Sequence, residues 1–462
     1  MNSPDDVIAA LATPVGEGGI AVVRVSGKNA IAVVGKSFYG KVSLDRSGSH
    51  TAHYGLFFDE KRKKIDDIVT TVFREPHSYT GENTVEISCH GSSYIVKKII
   101  ERLIESGARQ AEPGEFTKRA FLNGRMDLAQ AEAVADLIHA SSEYAHRISI
   151  SQLEGRLSHK IQQLKEKLID VCGLLEVELD FVEEEIGYIN SEKVGKEIHL
   201  IKNQLDEMID SYESGRLSKE GVRVVILGEP NVGKSSIFNC LIDNYRAIVT
   251  PVEGTTRDSI EEHVSIDGVI FNIIDTAGIR HSEDIVEKEG IKRTYGEIQK
   301  SDIAIFVKDC TNVNGSQLSD ENIENTLPKN SKIITVFNKF DLIGFEKGKI
   351  KDQLAEDVQV FLSAKTGFGI KDLKGKLLEA SKLKDLPEGT ESIILTNLRH
   401  FNCLKEANGY VSSAVESLDN KMSNEFAISD LRIAIGKLEL IIGVVTDEEI
   451  LNNIFSNFCI GK

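Results

Sequence analysis

The chain has 462 residues, of which 41% are hydrophobic and 27% are charged, and its formal net charge is −17. This composition is typical of a soluble globular protein, and the length predicts about three domains of ~150 residues each. No run of about 18 apolar residues is present, which excludes a membrane-spanning helix. The acidic balance disfavours wholesale binding of nucleic acid, although a local basic patch is compatible with it.

The N-terminus and the cysteines both predict a reducing, cytoplasmic location. The first residues, "MNSPDDVIAALATPVGEGG", carry acidic side chains where a secretory signal needs positive charge. The six cysteines are scattered along the chain and form no CxxC pair. This spacing argues against a disulfide framework and against a zinc site.

Residues 1–118 are predicted to form a mixed α and β domain. The apolar runs "GIAVVRVSG" and "NTVEISCHG" close on glycine, as buried strands do. The segment "SSYIVKKIIERLIESG" predicts an amphipathic helix that ends at Gly107.

Residues 119–216 are predicted to be helical. The segment "DLAQAEAVADLIHASSEYAHRI" predicts a helix with Asp127 at its N-cap. Further on, apolar residues recur at spacings of three and four and predict one buried helical face; they are Leu153, Leu157, Ile161, Leu164 and Leu168.

Strands alternate with helices over residues 217–380, which predicts a parallel α/β domain. Residues 381–462 are predicted to be helical again. A helical region on each side of an α/β domain indicates that the α/β domain is inserted into a helical one. The two helical parts are expected to pack together, because neither is large enough to bury its apolar stripe alone.

A phosphate-binding loop is predicted at the start of this α/β domain. The segment "GEPNVGKS", Gly228–Ser235, matches GxxxxGK[ST] and lies between the apolar strand "VRVVIL" and a helix start. Backbone N–H groups of Asn231–Ser236 are expected to surround the phosphates of a nucleotide. Lys234 would bring charge to the terminal phosphates, and the Ser235 hydroxyl would reach Mg²⁺.

Two further segments carry the pattern of a phosphate sensor. "GTTRD" contains Thr256, which is placed to offer Mg²⁺ a second hydroxyl. "NIIDTAG" ends a strand with Asp275, whose carboxylate is expected to interact with the ligands of Mg²⁺ rather than with the ion itself. The segment continues through Thr276 and Ala277 to Gly278, whose N–H can sense the γ-phosphate.

Two more segments predict a guanine site. "TVFNKFD" ends another strand with Asn338, Lys339 and Asp341, and "LSAK" adds Ser363, Ala364 and Lys365 through main-chain contacts. The Asp341 carboxylate can accept hydrogen bonds from the two N–H donors on a guanine edge, which adenine does not offer. Together these segments resemble the GTPase family of P-loop proteins over roughly residues 217–380.

This segment departs from Ras-like GTPases in its catalytic group. Those enzymes carry after "DTAG" a glutamine that orients the attacking water, and here the residue is Ile279. An apolar side chain cannot align water, so that role must lie elsewhere. Asn231 in the loop has an amide oxygen that could coordinate a monovalent cation in the place of an arginine's charge.

The whole chain resembles the MnmE/TrmE family of tRNA modification GTPases. Four stretches outside the G domain carry the resemblance in the family's order: "ATPVGEGGIAVVRVSG", "SYTGENTVEISCHG", "PGEFTKRAFLNGRMDLAQAEAVADLI" and the terminal "CIGK". The resemblance implies an N-terminal folate-binding domain that forms a homodimer, a helical domain and an inserted G domain.

The resemblance also implies GTP hydrolysis that K⁺ stimulates when two G domains meet. It assigns the K⁺ ligands to Asn231, to the carbonyls of Thr250 and Val252, and to the Thr255 side chain, so that Thr250, Thr255 and Thr256 all lie in the nucleotide site. It assigns the water-positioning carboxylate to Glu287, with Glu283 and Glu289 less favoured by register. From composition alone, "EDIVEKEG" is also compatible with an ordinary solvated acidic face.

A tetrahydrofolate derivative, 5-formyl- or 5,10-methylene-tetrahydrofolate, is placed by the same resemblance near Arg24, Glu86, Arg125 and Lys462. A pterin offers paired donors to Glu86, and guanidinium groups suit the carboxylates of the folate tail. Without the resemblance, Arg24 and Glu86 would be read as ordinary charges on a strand face.

The terminal "CIGK" allows three interpretations. A prenylation site is excluded, because Gly461 and Lys462 break the pattern that prenylation needs. A frayed end is the usual fate of a terminus. However, "EEILNNIFSNF" has apolar residues at helical spacing that can dock the tail, and a docked tail would carry Cys459 and Lys462 to the folate site. Whether the Cys459 thiol reacts covalently depends on its environment.

Three functions are compatible with these features. The resemblance implies an enzyme that acts with the flavoprotein MnmG, in a heterotetramer or larger complex, on C5 of the wobble uridine of certain tRNAs. The group added is aminomethyl or carboxymethylaminomethyl, and FAD and NADH belong to the partner. The alternatives are a ribosome-assembly switch and a membrane scaffold; the chain has neither a basic RNA-binding extension nor a cationic amphipathic segment to favour them.

Overall fold

The computed structural model describes residues 6–180, 191–242, 261–275, 296, 298–312, 327–328, 331–346, 359–383, 393–444, 448–456, 458 and 460–462. The chain divides into two compact units. The first consists of Met1–Ala135, Gln152–Asp180 and Ile428–Lys462, and the second of Asp136–Ser151 and Phe181–Ala427.

A seven-stranded sheet forms the centre of the first unit, with the strand order β3-β4-β5-β6-β2-β1-β7. Its strands are β1 (Val7–Leu11), β2 (Gly18–Ser26), β3 (Phe38–Gly40), β4 (Thr51–Phe58), β5 (Lys64–Phe73), β6 (Thr84–Gly91) and β7 (Ala108–Gln110). Neighbouring strands are antiparallel except β1 and β7, which are parallel. The two strands predicted from apolar runs are β2 and β6, and they lie side by side.

Two helices cover one face of this sheet, α1 (Ala30–Gly35) and α2 (Ser93–Glu105). The predicted amphipathic helix is α2, which ends before Gly107 as expected. Its side chains Ile99 and Leu103 are completely buried in the same cluster as Val23 and Ile87 of the sheet. The N-terminal region is therefore the predicted mixed α and β domain.

The helical region begins with α3 (Glu115–Leu122), α4 (Leu128–His139), α5 (Glu143–Leu153) and α6 (Arg156–Asp180). Asp127 caps α4 as predicted: its carboxylate accepts from the Gln130 N–H at 2.9 Å, and the Gln130 side chain accepts from the Asp127 N–H at 3.0 Å. This reciprocal pair is a capping box.

The prediction of one continuous helix through "DLAQAEAVADLIHASSEYAHRI" is wrong. The helix stops at His139, and the Ser142 hydroxyl caps a new one by accepting from the Ala145 N–H at 3.0 Å. The predicted apolar stripe is likewise interrupted, because Gly155, with a φ of +81°, separates Leu153 from α6. The remaining four stripe residues are buried on α6: Leu157, Ile161, Leu164 and Leu168.

The second unit contains a six-stranded sheet with the order β13-β12-β11-β8-β10-β9. Its strands are β8 (Val222–Gly228), β9 (Glu261–Ile266), β10 (Val269–Asp275), β11 (Ile303–Asp309), β12 (Lys332–Asn338) and β13 (Gln359–Phe361). All neighbours are parallel except β9 and β10. The helices α9 (Lys234–Ile242) and α10 (Ile370–Ser381) pack on it, so the predicted parallel α/β domain is confirmed.

Helices from both sides of this α/β domain pack together, as predicted. They are α7 (Ser191–Asp210) and α8 (Tyr212–Glu220) before it, and α11 (Leu398–Asp419) after it. The rings of Tyr212 and Phe401 stack at 4.4 Å between centroids, and the Asn408 amide donates to Asp206 at 2.7 Å. In the first unit, Lys165 of α6 pairs at 3.3 Å with Glu439 of α12 (Asn424–Ile442). The α/β domain is thus inserted into a helical region.

The last helix of the described residues is α13 (Glu448–Ser456). None of the helices in the described part of the chain is both long enough and apolar enough to cross a membrane.

The tightest contact at the insertion point involves Gly215 of α8. A Cβ atom at this position would lie 1.9 Å from the Leu395 carbonyl oxygen. Leu395 is completely buried, and its N–H donates to the Ser211 hydroxyl at 3.1 Å. The returning chain therefore approaches α8 as closely as a glycine allows.

Replacement of Gly215 by alanine should destabilise the protein, although alanine favours a helix over glycine by ~1 kcal/mol. The added methyl group would force the two backbones apart, and such overpacking typically costs ~1–3 kcal/mol. Thermal unfolding followed by circular dichroism should show a lower Tm for Gly215→Ala. The matched control is Gly195→Ala in α7, where an added Cβ meets nothing within 4 Å and the Tm should stay equal or rise. A Tm that rises in both variants would contradict the proposed close contact.

Candidate functional sites

The predicted phosphate-binding loop connects β8 to α9. The backbone φ angles are +146° at Gly228, +65° at Asn231 and +99° at Gly233. Asparagine tolerates the left-handed conformation better than most side chains do, and glycine adopts it freely. A compact loop with positive φ angles that leads into a helix N-terminus forms a concavity suited to anions.

Lys234 and two serines begin α9. The Lys234 ammonium folds back over the loop and donates to the carbonyls of Gly228 at 3.0 Å and Glu229 at 2.8 Å. Ser235 and Ser236, in the first turn, are exposed, as is Asn231. This geometry fits an anion held by backbone N–H groups, with a lysine charge and serine hydroxyls beside it.

Asn338 links this loop to the last strands of the sheet. Its side-chain amide donates to the Val232 carbonyl at 2.8 Å, and its side-chain oxygen accepts from the Ala364 N–H at 3.1 Å. Asn338 is buried, and a Cβ atom on Gly233 would lie 2.2 Å from its amide nitrogen. Asn338 therefore holds two loops together from beneath, and Gly233 must be glycine for this contact.

The residues predicted to bind guanine lie at the same edge of the sheet. The Ser363 hydroxyl donates to the Asp341 carboxylate at 2.7 Å, and this hydrogen bond lowers the pKa of Asp341 below its ordinary value. The exposed carboxylate is therefore kept ionised as an acceptor. Lys365, next in the loop, is exposed as well.

Asp309, which ends β11, is a further residue of this site that the sequence motifs did not reveal. The Lys339 ammonium pairs with the Asp309 carboxylate at 2.7 Å. Burial raises the pKa of Asp309, but the hydrogen bonds from Lys339 and Thr311 outweigh it and lower that pKa overall. Lys339, with a φ of +64°, is thereby fixed in an uncommon backbone conformation. The register of β11 with β12, which places Asp309 beside Asn338, could not be read from the sequence.

The parallel sheet accounts for the convergence of these residues. The loops that follow β8, β12 and β13 all leave its carboxyl edge, where α/β proteins bind ligands. Asp275 ends β10 beside β8 at the same edge. The remaining predicted residues of this site lie outside the described residues: Thr250, Val252, Thr255, Thr256, Thr276, Ala277, Gly278 and Glu287.

A second candidate site lies on the sheet of the first unit. Arg24 of β2 and Glu86 of β6 are direct cross-strand partners. Arg24 donates from Nε at 3.0 Å and from Nη2 at 2.9 Å to the same Glu86 oxygen. Its guanidinium also lies over the rings of Tyr79 at 5.2 Å and Phe116 at 5.7 Å, which stabilises the cation between two aromatic faces.

The C-terminal tail reaches this site. Arg24 Nη1 donates to the Gly461 carbonyl at 3.3 Å, across 437 positions of sequence. Leu451, Phe455 and Phe458 are buried against α4, as the helical spacing predicted, and they fix the tail. The expected docking of the tail is therefore confirmed, and Lys462 follows the docked glycine. Cys459 lies outside the described residues.

Arg125 lies in the turn after α3 and is exposed. The neighbouring Asn123 amide donates to the Thr80 carbonyl at 2.8 Å, and Gly81, with a φ of +79°, leaves room for the Arg125 side chain. Arg125 lines an open groove of about 430 Å³ together with Tyr79 and four other residues, His50, Phe73, His77 and Ser78. Tyr79 is thus common to the surroundings of Arg24 and to the groove.

A buried ionic network supports the loop that carries Tyr79. Arg119 of α3 pairs with Glu82 at 3.1 Å, with Glu115 at 3.0 Å and with Asp6 at 2.5 Å. Burial raises the pKa of Asp6, but hydrogen bonds from Arg109 and Arg119 outweigh it, so this pKa lies below its ordinary value. Asp6 therefore stays ionised beside Arg119, and the ion pair of Arg119 with Glu82 holds the loop to α3.

Tyr79 and Phe116 are further members of this site that were not predicted from the sequence. Both lie in the stretches "SYTGENTVEISCHG" and "PGEFTKRAFLNGRMDLAQAEAVADLI" that carried the family resemblance. An aromatic residue in each stretch was the available signal. The signal was insufficient because aromatic residues are usually core residues, and because the cation that they contact, Arg24, lies far away in the sequence.

Comparison with known proteins covers nearly the whole chain. Residues 7–125 match the family model described as the GTP-binding protein TrmE N-terminus, and residues 128–459 match that of the MnmE helical domain. The chain is 42% identical to the tRNA modification GTPase MnmE of Christiangramia forsetii over 475 residues, which covers 99% of each chain. It is also 42% identical over 465 residues to that of Carboxydothermus hydrogenoformans, covering 99% of this chain and 100% of the relative.

Replacement of Gly461 by alanine should release the tail. Gly461 has a φ of +98°, and a Cβ atom there would lie 2.0 Å from the Leu11 carbonyl oxygen. A left-handed alanine costs roughly 1–2 kcal/mol even without a clash, so the undocked population should rise about tenfold. Carboxypeptidase should then remove the C-terminal residues faster. The control is Ile460→Ala, whose side chain is 51% exposed and whose loss should leave the digestion slow. Equal rates for Gly461→Ala and the unaltered chain would contradict the docked geometry.

Proposed function

The chain belongs to the MnmE/TrmE family and is a tRNA modification GTPase of that family, and from this premise we propose how its residues divide the work. The loop of the second unit binds and hydrolyses GTP. The sheet of the first unit and the docked tail hold a one-carbon carrier. Hydrolysis drives a rearrangement of paired G domains, and the carbon chemistry takes place at the carrier site.

In the nucleotide site, backbone N–H groups of Asn231–Ser236 surround the phosphates, and Lys234 neutralises them. Asp341 accepts from the guanine edge, which is supported by its hydrogen bond from Ser363. Ala364 and Lys365 border the base, and Asn338 and Lys339 hold the loops in position. The serine hydroxyl at the start of α9 fits Mg²⁺, a hard cation that prefers oxygen ligands.

The remaining contacts to Mg²⁺ and the γ-phosphate combine Ser235 and Asp275 with residues that lie outside the described ranges. Ser235 and Thr256 would hold Mg²⁺, which neutralises charge on the phosphates. Asp275 and the backbone of Thr276–Gly278 would border the γ-phosphate. Glu287 would orient the attacking water, a role that Ile279 cannot fill.

Asn231 would supply the ligand of a monovalent cation, with the carbonyls of Thr250 and Val252 and the hydroxyl of Thr255. The exposed position of Asn231 and its positive φ within the loop support this assignment. K⁺ bound there stabilises the negative charge that spreads over the phosphoryl group in the transition state. The chain would then need no arginine from another protein for this purpose.

The carrier is a tetrahydrofolate derivative, 5-formyl- or 5,10-methylene-tetrahydrofolate, which supplies one carbon. Glu86 would accept hydrogen bonds from the pterin donors. Arg24 would position Glu86 rather than bind a carboxylate of the folate tail. Arg125 and Lys462 would bind the carboxylates of the folate tail. Cys459, two residues before the docked Gly461, would lie near the carrier.

The partners follow from the family. The N-terminal domain would form a homodimer, and the chain would act with the flavoprotein MnmG, in a heterotetramer or larger complex, in the cytoplasm. The partner would contribute FAD and NADH. The product would be an aminomethyl or carboxymethylaminomethyl group on C5 of the wobble uridine of certain tRNAs.

One observation carries the modifying function beyond a simple GTPase switch. Arg24 contacts the last residues of the chain, so the terminus is part of a site on a sheet that contains no nucleotide loop. A switch protein needs no such site. The experiment that tests the function is mass spectrometry of tRNA nucleosides from cells that lack the gene.

We expect the wobble-uridine modification to disappear in those cells and to return with the unaltered gene. Glu86→Gln should fail to restore it while GTP hydrolysis continues, because this change replaces the two acceptor oxygens of the carboxylate by one amide oxygen and an NH2 donor, and leaves the nucleotide loop untouched. Intact modification in the deletion strain, with no second copy of the gene present, would refute the proposed function.

Replacement of K⁺ by Na⁺ tests the cation site. GTP turnover by the full-length chain should fall about 100-fold in Na⁺, comparable to the loss of one preorganised charge-stabilising donor. Asn231→Gly keeps the positive φ and removes only the amide, so it should abolish the difference between the ions and preserve nucleotide binding. Equal turnover of the unaltered chain in both salts would show that Asn231 holds no catalytic cation.

A further inference from the structure

The turn between β4 and β5 carries the longest run of basic residues in the chain. Its sequence, "DEKRKK", contains four consecutive cations, Lys61–Lys64, and no other run of lysine and arginine is longer than two. All four residues are exposed. In a chain of net charge −17, such a run concentrates positive potential at one place on an acidic protein.

The backbone of this turn is held by hydrogen bonds. The Asp59 carboxylate accepts from the Lys63 N–H at 2.7 Å, and the Asp59 N–H donates to the Lys63 carbonyl at 3.0 Å. The Arg62 N–H donates to the Asp59 carbonyl at 3.1 Å, and Arg62 has a φ of +59°. The cations are therefore presented on a defined hairpin turn rather than on an irregular loop.

The charges of the turn are only partly neutralised. Lys64 forms an ion pair with Asp67, and the exposed Glu60 offsets one further charge. Among the residues that the structure describes, Lys61–Lys63 form no ion pair. Exposed cations of this kind attract phosphate groups, and the release of counterions from a nucleic acid favours the association.

An exposed aromatic side chain lies beside these cations. Tyr39, on the edge strand β3, is 48% exposed, and the Arg62 guanidinium lies 5.9 Å from the centroid of its ring. Phe58 packs edge-on against the same ring at 5.2 Å and holds it in place, while the neighbouring Phe38 is buried. RNA-binding proteins stack unpaired bases on aromatic rings and on guanidinium planes, so this pair suits RNA.

Charge at the edge of a sheet has a second possible role, which is to prevent copies of the chain from pairing edge to edge. This role accounts for the cations beside β3. It does not account for Tyr39, because an exposed hydrophobic side chain on an edge strand promotes association instead of preventing it. The combination of cations and ring is therefore better explained by a ligand that offers both phosphates and bases.

Tyr39 and the carrier site lie on the same face of the sheet. The register pairs Tyr39 with Leu56 and Leu56 with Asp67, and four residues further along β5 it pairs Thr71 with Glu86. Directly paired residues share a face, as do residues four apart on one strand. Three strand spacings of ~4.8 Å and four residues of ~3.3 Å place Tyr39 roughly 20 Å from Glu86.

We propose that this basic turn, Lys61–Lys63 together with Tyr39, contacts the tRNA whose wobble uridine is modified. The inference rests on the proposed function, in which the uridine reacts at the carrier site. Lys61 and Lys63 would pair with backbone phosphates, and Arg62 and Tyr39 would stack on an unpaired base. Phosphate contacts position a nucleic acid without reading its sequence, so the turn would add affinity for different tRNAs alike.

Fluorescence anisotropy of a labelled tRNA transcript, titrated with the full-length chain at several salt concentrations, tests the inference. The transcript carries uridine at the wobble position. Combined replacement of Lys61–Lys63 by glutamine should weaken binding about tenfold near ~0.1 M salt. The slope of log K against log salt concentration should become shallower by ~2, because each lost phosphate contact removes ~0.7–0.9.

Three further variants separate charge from stacking and from folding. Tyr39→Ala should weaken binding about fivefold without changing the salt slope, because stacking releases no counterions. Lys61→Arg combined with Lys63→Arg keeps the charges and should bind as the unaltered chain does. A control with the same change in net charge should also keep the affinity; it replaces by glutamine three exposed lysines elsewhere, Lys97, Lys300 and Lys405.

The other outcomes would overturn the proposal. These are no binding of tRNA to the unaltered chain, equal affinity of the glutamine variant, and an equal loss in the Lys97, Lys300 and Lys405 control. If the glutamine variant kept its tRNA affinity and formed oligomers on size-exclusion chromatography, the cations would protect the sheet edge. If it kept that affinity and lost binding to phosphatidylserine vesicles, the turn would contact a membrane. In each case, wobble modification that still depends on the gene would leave the proposed function intact.

Discussion

The close approach of Gly215 and Leu395 is the constraint on which the G domain depends. The chain leaves the helical region through α8 and returns beside it at Leu395, so both ends of the inserted domain are fixed at one place. The sheet begins directly after α8, where Gly221 has a φ of +83° and the Asn272 amide of β10 donates to the Glu220 carbonyl at 2.9 Å. These contacts join the insertion to α8 at its base, and the nucleotide loops lie at the opposite, carboxyl edge of the sheet.

Arg24 organises the first unit in a comparable way. A pair of opposite charges on neighbouring strands is ordinarily worth ~0.2–1 kcal/mol and has no further role. Here the same guanidinium also stacks on two aromatic rings and binds the carbonyl of Gly461. Because β6, the two aromatic rings and the docked tail all contact this one side chain, Arg24 converts a strand pair into a site that includes the C-terminal tail. Removal of any one partner would loosen the others.

Much of both sites could be predicted from local sequence. The phosphate loop, the Asp127 cap and the apolar face of α13 each depend on residues a few positions apart, whose physical roles are set by spacing. The break between α4 and α5 was missed, because alanine-rich helix propensity does not reveal that the Ser142 hydroxyl will cap a new helix. Asp309 and Tyr79 were missed because their partners, Lys339 and Arg24, lie on other segments of the chain.

The sequence by itself determined which chemistry is available: a phosphate loop, a carboxylate for guanine, a terminal cysteine, and helices on both sides of an α/β domain. These follow from side-chain chemistry and from hydrogen bonds within a few residues. Only the tertiary structure decided that Asn338 ties the loops together, that Arg24 holds Glu86 and the tail, and that a groove opens beside Tyr79. Such contacts depend on strand register and on packing between distant segments, and the spacing of residues along the sequence does not determine either.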